Sequence, residues 1–103
     1  MTKLDEMWAA LENYQKYADA DGHGESWSKM CKLKTEDAAW DAAGAAAIAV
    51  AVVYVSHAVY DASYAVARLI TAAAAESVYD VDFWPQFAID RINDAILNKE
   101  NKK

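Results

Sequence analysis

The sequence predicts an all-α protein made of a single domain. The 103-residue chain contains only three glycines and one proline, which are too few turn signals for an all-β domain. Alanine supplies much of the 55% hydrophobic content, and alanine has the highest helix propensity. A chain of this length forms one small domain. We assign residues 1–98 to that helical domain and residues 99–103 to a polar C-terminal tail.

The first helix is predicted over about residues 3–18. Apolar residues three or four positions apart define one face of it: Leu4, Trp8, Leu11 and Tyr14. Thr2 can cap this helix, and the acidic residues Asp5 and Glu6 are favourable in its first turn. The polar segment 19–26 holds two of the three glycines, so it predicts the loop that ends the helix.

Two further helix starts follow this loop. Ser26 can cap a short second helix, and Thr35 followed by two acidic residues is a good N-terminal signal for a third. From Thr35 the helical pattern continues without proline to about Tyr79, which predicts one long central helix.

The last helix is predicted over about residues 83–98. The segment 80–82, Asp-Val-Asp, is expected to end the central helix. Pro85 is suited to the first turn of the helix that follows, because proline lacks the N–H that a first turn leaves without a partner.

The central helix carries an apolar seam with the seven-residue spacing of a coiled coil. Its main residues are Ile48, Val52, Val55, Val59, Val66 and Leu69. A helix over residues 35–79 would be about 65 Å long, whereas a compact domain of this size has a radius of gyration of about 13 Å. Either this helix breaks and folds back in a helical bundle, or it stays long and other copies of the chain cover the seam. We favour the second arrangement, a dimer or larger homo-oligomer.

The opposite face of the same helix carries aromatic and ionisable side chains. These residues are Tyr54, His57, Asp61, Tyr64 and Arg68, and we interpret them as a ligand-binding or interface stripe. No candidate nucleophile shares this face and no glycine-rich phosphate loop occurs, so we expect no catalytic residues, no cofactor and no enzymatic activity.

Neither the acidic loop nor the histidines predict a metal site. Counted from Asp19, position twelve of a calcium loop would be Met30 instead of a bidentate glutamate. His23, His57 and Cys31 do not have the spacing of a zinc site. A single cysteine excludes an internal disulfide and fits a reducing cytoplasm, where we expect Cys31 to be buried.

The charge of the chain favours a basic partner. Sixteen acidic and ten basic residues give a net charge of −6, which repels nucleic-acid phosphates and excludes direct nucleic-acid binding. We expect an acidic surface that contacts a host protein with a basic surface. Its candidate residues are Asp19, Asp21, Glu25, Glu76, Asp80, Asp82, Asp90 and Asp94.

An uncharged run over residues 42–60 approaches the length of a membrane span. Acidic residues, Asp41 and Asp61, flank it on both sides, so no basic anchor orients an insertion. We therefore expect a buried helix and a cytoplasmic protein. The acidic N-terminus also does not resemble an export signal.

Residues 38–97 resemble the Ala-rich small helical accessory proteins of tailed bacteriophages. The resemblance begins at the run Trp40-Asp41-Ala42-Ala43-Gly44-Ala45-Ala46-Ala47 and ends in an amphipathic segment from Ala88 to Ile96. The run from Val50 to Val55 departs from it, since β-branched residues stand where alanine is usual. The resemblance implies a small accessory protein that acts on a host component in the host cytoplasm.

The function these observations predict is non-enzymatic. We expect an acidic protein that binds and inhibits or modulates a host protein, as in phage counter-defence by mimicry of nucleic-acid charge. One alternative is an oligomer that sequesters a small ligand such as a nucleotide, bound by tyrosine stacking and by Arg68. The other alternative is a small membrane-inserted protein.

Overall fold

The chain folds into helices joined by short connections, which confirms the predicted all-α class. The computed structural model describes residues 2–53, 55–74 and 78–101, with no side chain described at 53, 74 or 78–82. Within these ranges there is no strand, and the helices are α1 (Lys3–Asn13), α2 (Gln15–Ala20), α3 (Gly24–Leu33), α4 (Glu36–Val53), α5 (His57–Ala74) and α6 (Val78–Glu100).

The start of α1 is fixed by the cap that the sequence predicts. The Thr2 hydroxyl accepts a hydrogen bond from the Asp5 backbone N–H at 3.1 Å, and the Asp5 carboxylate accepts one from the Thr2 N–H at 3.2 Å. This reciprocal capping box satisfies two N–H groups that the first turn leaves free. The helix is shorter than expected, because α1 ends at Asn13 and Tyr14 separates it from α2.

Two glycines shape the turn between α2 and α3. Gly22 has φ of +90°, a conformation that side chains with a Cβ disfavour. A Cβ on Gly24 would lie 2.8 Å from the Cα of Asp19, so only glycine allows α3 to start this close to the end of α2. The third helix therefore begins two residues before the predicted cap, Ser26.

The prediction of one long central helix is wrong. The chain forms α4 and α5 instead, with Val55 and Ser56 outside both helices. The Ser56 hydroxyl accepts a hydrogen bond from the Ala58 N–H at 3.2 Å, which caps the start of α5. The chain reverses here, since Trp40 near the start of α4 contacts Tyr64 well along α5. The resulting radius of gyration is 12.7 Å, with extents of 41 × 24 × 20 Å.

The last helix is longer than predicted at both ends. Its backbone is helical through residues 80–82, where a break was expected, and Pro85 lies inside the helix instead of in its first turn. Lys99 and Glu100 belong to α6 and not to a separate tail. The Lys99 ammonium lies 2.5 Å from the Asp21 carboxylate, so the end of α6 is tied to the end of α2.

The packing of α4, α5 and α6 buries most of the predicted seam within one chain. Val55, Val59, Val66 and Leu69 are buried by the chain's own helices. Ile48 and Val52 are instead 66% and 67% exposed. The six residues therefore do not form one continuous seam. Ile48 and Val52, before the break, are exposed, whereas the four residues after Val52 pack inside the chain.

The first three helices and the residue between α1 and α2 contribute large side chains to the core. Those that are fully buried are Met7, Leu11, Tyr14, Trp27 and Met30. The Trp27 indole N–H donates a hydrogen bond to the Leu11 carbonyl oxygen at 2.8 Å, so its polar atom is satisfied inside the core. Cys31 is buried, as expected, and burial raises the pKa of its thiol to about 11.

Candidate functional site

Tyr64 lies at the centre of a group of aromatic side chains from three helices. Its ring meets Trp40 of α4 at 5.5 Å between centroids and Trp84 of α6 at 6.1 Å, both edge to face. Aromatic pairs prefer this geometry, because the positive edge of one ring meets the negative face of the other. One α5 side chain thus joins the aromatic residues of both neighbouring helices.

The group extends along α5 and α6. Tyr60 stacks on Tyr64 at 6.1 Å, and Trp84 meets Phe83 at 4.8 Å and Phe87 at 5.7 Å. The spacing of Phe83, Trp84 and Phe87 brings them together on one side of α6, because residues three and four apart are neighbours on a helix. We call the whole group the aromatic surface, which consists of Trp40, Tyr60, Tyr64, Phe83, Trp84 and Phe87.

The aromatic surface lies at the outside of the protein. Trp40 is 38% exposed and Phe83 is 54% exposed, and the other four side chains are half-buried. The Trp84 indole N–H is buried and has no hydrogen-bond partner among the described residues. Tryptophan and tyrosine are enriched at the centres of protein interfaces, so this surface is the main candidate functional site.

Acidic side chains lie beside the aromatic surface at two places. On α4, the Glu36 carboxylate accepts a hydrogen bond from the Trp40 indole N–H at 3.3 Å, and Asp37 lies one turn before Trp40. On α6, Asp90 and Asp94 lie one and two turns after Phe87 and are exposed. The rings are thus bordered by negative charge on two helices.

One cation of the chain already occupies an edge of this surface. The Arg91 guanidinium lies over the Phe87 ring at 5.2 Å and 4.0 Å from the Asp61 carboxylate. It combines a cation–π contact with an ion pair. An aromatic ring and a carboxylate together thus hold a cation at this edge.

The described residues of the predicted polar stripe lie along one face of α5, where they border two different features. Tyr54 lies outside the described residues. Tyr64 belongs to the aromatic surface, whereas His57 and Asp61 line an open polar hollow of about 500 Å³ with Arg91 of α6. Arg68 is exposed further along α5. That these residues bind one ligand together stays a prediction.

The predicted acidic residues are spread over several helices. Asp19, Glu25, Asp90 and Asp94 are exposed, and Glu25 lies 3.5 Å from Lys29. Asp21 is mostly buried in its ion pair with Lys99. The positions of the Glu76, Asp80 and Asp82 side chains are outside the described part of the chain.

A second candidate group, which sequence analysis did not predict, consists of the buried side chains of His23 and Tyr14. The His23 ring is 5% exposed and lies 6.1 Å from both the Tyr14 and Trp27 rings. Neither nitrogen of His23 nor the Tyr14 hydroxyl has a hydrogen-bond partner among the described residues. Such groups are rare in folded proteins.

Burial shifts the pKa values of both His23 and Tyr14. Burial lowers the pKa of His23, the Asp21 carboxylate opposes this change, and the Lys99 ammonium adds to it. Burial raises the pKa of Tyr14, and Asp21 raises it further. Both side chains are therefore neutral at pH 7.

Sequence analysis missed the partners in both groups. The pattern of Phe83, Trp84 and Phe87 indicates an aromatic side of α6, but periodicity does not say which helix that side meets. His23 looks like an ordinary loop residue in a polar segment, because nothing local shows that its ring lies against Tyr14 and Trp27.

Two searches of the described residues bear on other classes of protein. No three His, Cys, Asp or Glu side chains there could hold one metal ion. Of the helices in the same ranges, none has both the length and the apolar character that a membrane span requires. In comparisons with known proteins, the chain matches no protein-family model, no curated protein and no solved structure.

Proposed function

We propose that this chain is a small, non-enzymatic, acidic binding protein that inhibits or modulates a protein with a basic surface. The observation that carries the proposal is the aromatic surface with its acidic border. An exposed tryptophan and phenylalanine supply contact area at low conformational cost, and the adjacent carboxylates select a cationic partner.

The ion pairs of the chain support a basic partner. Among the described residues, Lys3, Lys29, Arg91 and Lys99 pair with acidic groups of the chain itself. The chain carries a net charge of −6, so these pairs leave negative charge in excess. A basic surface would gain in association rate from this excess, and nucleic-acid phosphates would be repelled.

The contact between Arg91 and Phe87 indicates which side chain of the partner would bind. An external arginine can stack on Trp40 while its guanidinium pairs with Glu36 or Asp37. Arginine is preferred to lysine here, because its planar group stacks on rings and its charge is less strongly hydrated. Each such contact contributes about 0.5–1 kcal/mol at an exposed site.

The resemblance to phage accessory proteins suggests where this partner would be found. On that view the partner is a host protein in the cytoplasm that ordinarily binds nucleic acid, and the acidic chain occupies its basic groove. The exposed carboxylates of Asp90 and Asp94 would stand for phosphates. Binding that survives neutralisation of these carboxylates would contradict charge mimicry while leaving the aromatic contact intact.

The test uses a labelled synthetic peptide in which arginine alternates with apolar residues, followed by fluorescence polarisation. We expect saturable binding that weakens as the salt concentration rises from about 50 to about 500 mM, because exposed charges are then screened. Trp40→Ala is expected to weaken binding about tenfold, as for an interface anchor.

Two controls make this test specific. Leu33→Ala removes an apolar side chain that is 60% exposed outside the aromatic surface, so it should leave the affinity unchanged. A second peptide carries glutamate in place of arginine and should not bind. Equal binding of both peptides, or equal effects of the Trp40 and Leu33 substitutions, would overturn the proposal.

A further inference from the structure

An apolar groove, open on one side, lies between α1, α5 and α6 and has no lining residue in common with the aromatic surface. Its volume is about 470 Å³, within the range of about 300–1,000 Å³ that small-molecule sites occupy. Leu69 is 4% exposed and Pro85 is buried, so they form its floor, whereas Leu4 at the rim is 45% exposed. The apolar residues that line this groove are Leu4, Trp8, Leu69, Ile70, Ala73 and Pro85.

The charge at the edge of the apolar groove is positive. Lys3 and Lys34 belong to its lining, and among the described residues no acidic side chain does. The whole chain has sixteen acidic and ten basic residues, so this local charge is the reverse of the overall balance. Charge complementarity therefore favours an anion at this edge.

The Lys34 ammonium lies directly beside the apolar wall. Lys34 ends α3 in the left-handed conformation, with φ of +54°, where glycine is usual. Its N–H donates to the Met30 carbonyl oxygen at 3.0 Å, and its ammonium lies over the Trp8 ring at 5.4 Å. No carboxylate of the described residues lies within ion-pair distance of this ammonium. Its charge is thus available to a ligand in the groove.

Lys3 has a weak partner that a ligand can replace. Its ammonium lies 3.1 Å from the Glu6 carboxylate, and both side chains are about half exposed. Exposed ion pairs contribute little to stability. Asp5, the other acidic residue of this turn, accepts a hydrogen bond from the Thr2 N–H. Lys3 can therefore turn from Glu6 toward an anion.

We propose that the apolar groove binds a free fatty acid. The hydrocarbon chain would lie along Leu4, Trp8 and Ile70, and the carboxylate would accept hydrogen bonds from the ammonium groups of Lys34 and Lys3. A flexible chain suits an open groove, because it can follow the wall without being enclosed. A free fatty acid is favoured over an anionic membrane surface, since the net charge of −6 repels such a surface.

The experiment compares decanoate with decyltrimethylammonium, which has an alkyl chain of the same length and the opposite charge. Both are titrated into the full chain at neutral pH and low salt, below micelle formation, and followed by two-dimensional NMR of the backbone amides and tryptophan indoles. We expect decanoate to saturate one site, to shift the Trp8 indole resonance, and to bind about tenfold more tightly than the cation. Non-specific attraction to a chain of charge −6 would favour the cation instead.

Chain length and the groove wall test where the hydrocarbon lies. Dodecanoate should bind about fourfold more tightly than decanoate, because each methylene contributes about twofold in a half-open groove. Leu4→Ala removes an apolar side chain from the rim and should weaken both acids about threefold. Leu97→Ala is the matched control, since Leu97 is exposed and does not line the groove, and it should leave both affinities unchanged.

A lysine substitution tests the charge. Lys34→Gln keeps a long side chain without the ammonium, so it should weaken decanoate about two- to fivefold and leave decyltrimethylammonium no weaker. Lys16→Gln changes the net charge equally, and Lys16 lies over the Tyr17 ring at 5.0 Å without lining the groove. This control should not change the affinity for decanoate. Circular dichroism confirms that each variant is folded before it is titrated.

Sedimentation with vesicles of phosphatidylglycerol separates a free fatty acid from a membrane surface, and we expect no binding to the vesicles. The proposal is overturned if decanoate does not saturate, if the cation binds as tightly, or if dodecanoate and decanoate bind equally. Equal effects of Lys34→Gln and Lys16→Gln, or binding to the vesicles that Lys34→Gln abolishes, would overturn it as well.

Discussion

The two halves of the chain contribute different side chains to one shared core. The first three helices enclose large residues, among them Tyr14, Trp27 and Met30, all fully buried. The interior between α4, α5 and α6 consists mainly of small residues, such as Ala62, Ala65 and Val66.

This difference explains where the aromatic residues lie. Alanine allows helices to approach closely, and helices at that distance leave no room for a large ring between them. The aromatic side chains of α4–α6 are therefore at the outer edges of the helices, whereas Tyr14 and Trp27 of the first half fill the interior. The same residue types stabilise the interior in one half and form the candidate binding surface in the other.

The largest expected effect separates a core tryptophan from a surface tryptophan. Trp27→Ala removes a fully buried ring and its hydrogen bond to Leu11, so we expect a loss of about 3–5 kcal/mol of unfolding free energy. Trp40→Ala should cost less than about 1.5 kcal/mol, because that ring is 38% exposed. Urea unfolding followed by circular dichroism measures both, and similar losses would contradict the contrast between the halves.

Sequence analysis predicted two of the helix starts correctly but missed the break between α4 and α5. Local chemistry was sufficient for the cap at Thr2 and for the helix start at Thr35, whose hydroxyl accepts from the Ala38 N–H at 3.3 Å. The break before α5 was missed, although Ser56 after a β-branched run is itself a cap signal. No glycine or proline lies near Ser56, so the seven-residue spacing of apolar residues predicted a continuous helix in spite of this cap signal.

The candidate sites were harder to predict because they join distant residues. Tyr64 was singled out from its position on one helix face, but its partners Trp40 and Trp84 are each twenty or more positions away. Sequence analysis could not tell what covers the apolar seam for the same reason. A buried apolar stripe looks alike whether another copy covers it or, as for Val59 and Val66, the chain's own helices do.

The second prediction tests the close packing of the alanine-rich half. Ala62→Leu introduces a branched side chain at a fully buried position between helices, so we expect overpacking to cost about 1–3 kcal/mol. Ala51→Leu makes the same change at an exposed position of α4 and should change stability by less than about 0.5 kcal/mol. Thermal unfolding compares the two, and an unchanged stability of Ala62→Leu would show that the half is loosely packed.

A third prediction concerns the pH dependence of the half with the large core. The pKa of His23 in the folded chain is lower than its ordinary value of 6.5, so between these values the unfolded chain binds a proton that the folded chain does not. Stability is then fully present above pH 6.5 and falls as the pH decreases, by at most about 1.4 kcal/mol per pH unit for one group.

The groups that face His23 set the size of this effect. Asp21 at the end of α2 favours the protonated ring, and Lys99 of α6 opposes it. Comparison of the unmodified chain with His23→Phe between pH 7.5 and 5 isolates the contribution. Parallel stability curves for the two proteins would contradict it, since the carboxylates they share cannot produce a difference.

The smallest effect on stability is expected at Ile48, where the alanine-rich half leaves an aliphatic side chain 66% exposed. Self-association through α4 stays a prediction, now restricted to Ile48 and Val52 because the chain buries the rest of the seam itself. Ile48→Asp should change the unfolding free energy of the single chain by less than about 0.5 kcal/mol. It should nevertheless lower the mass measured by light scattering, because an unpaired carboxylate in an apolar contact is costly. A mass of 11.3 kDa for the unmodified chain would exclude self-association and leave α4 exposed to solvent.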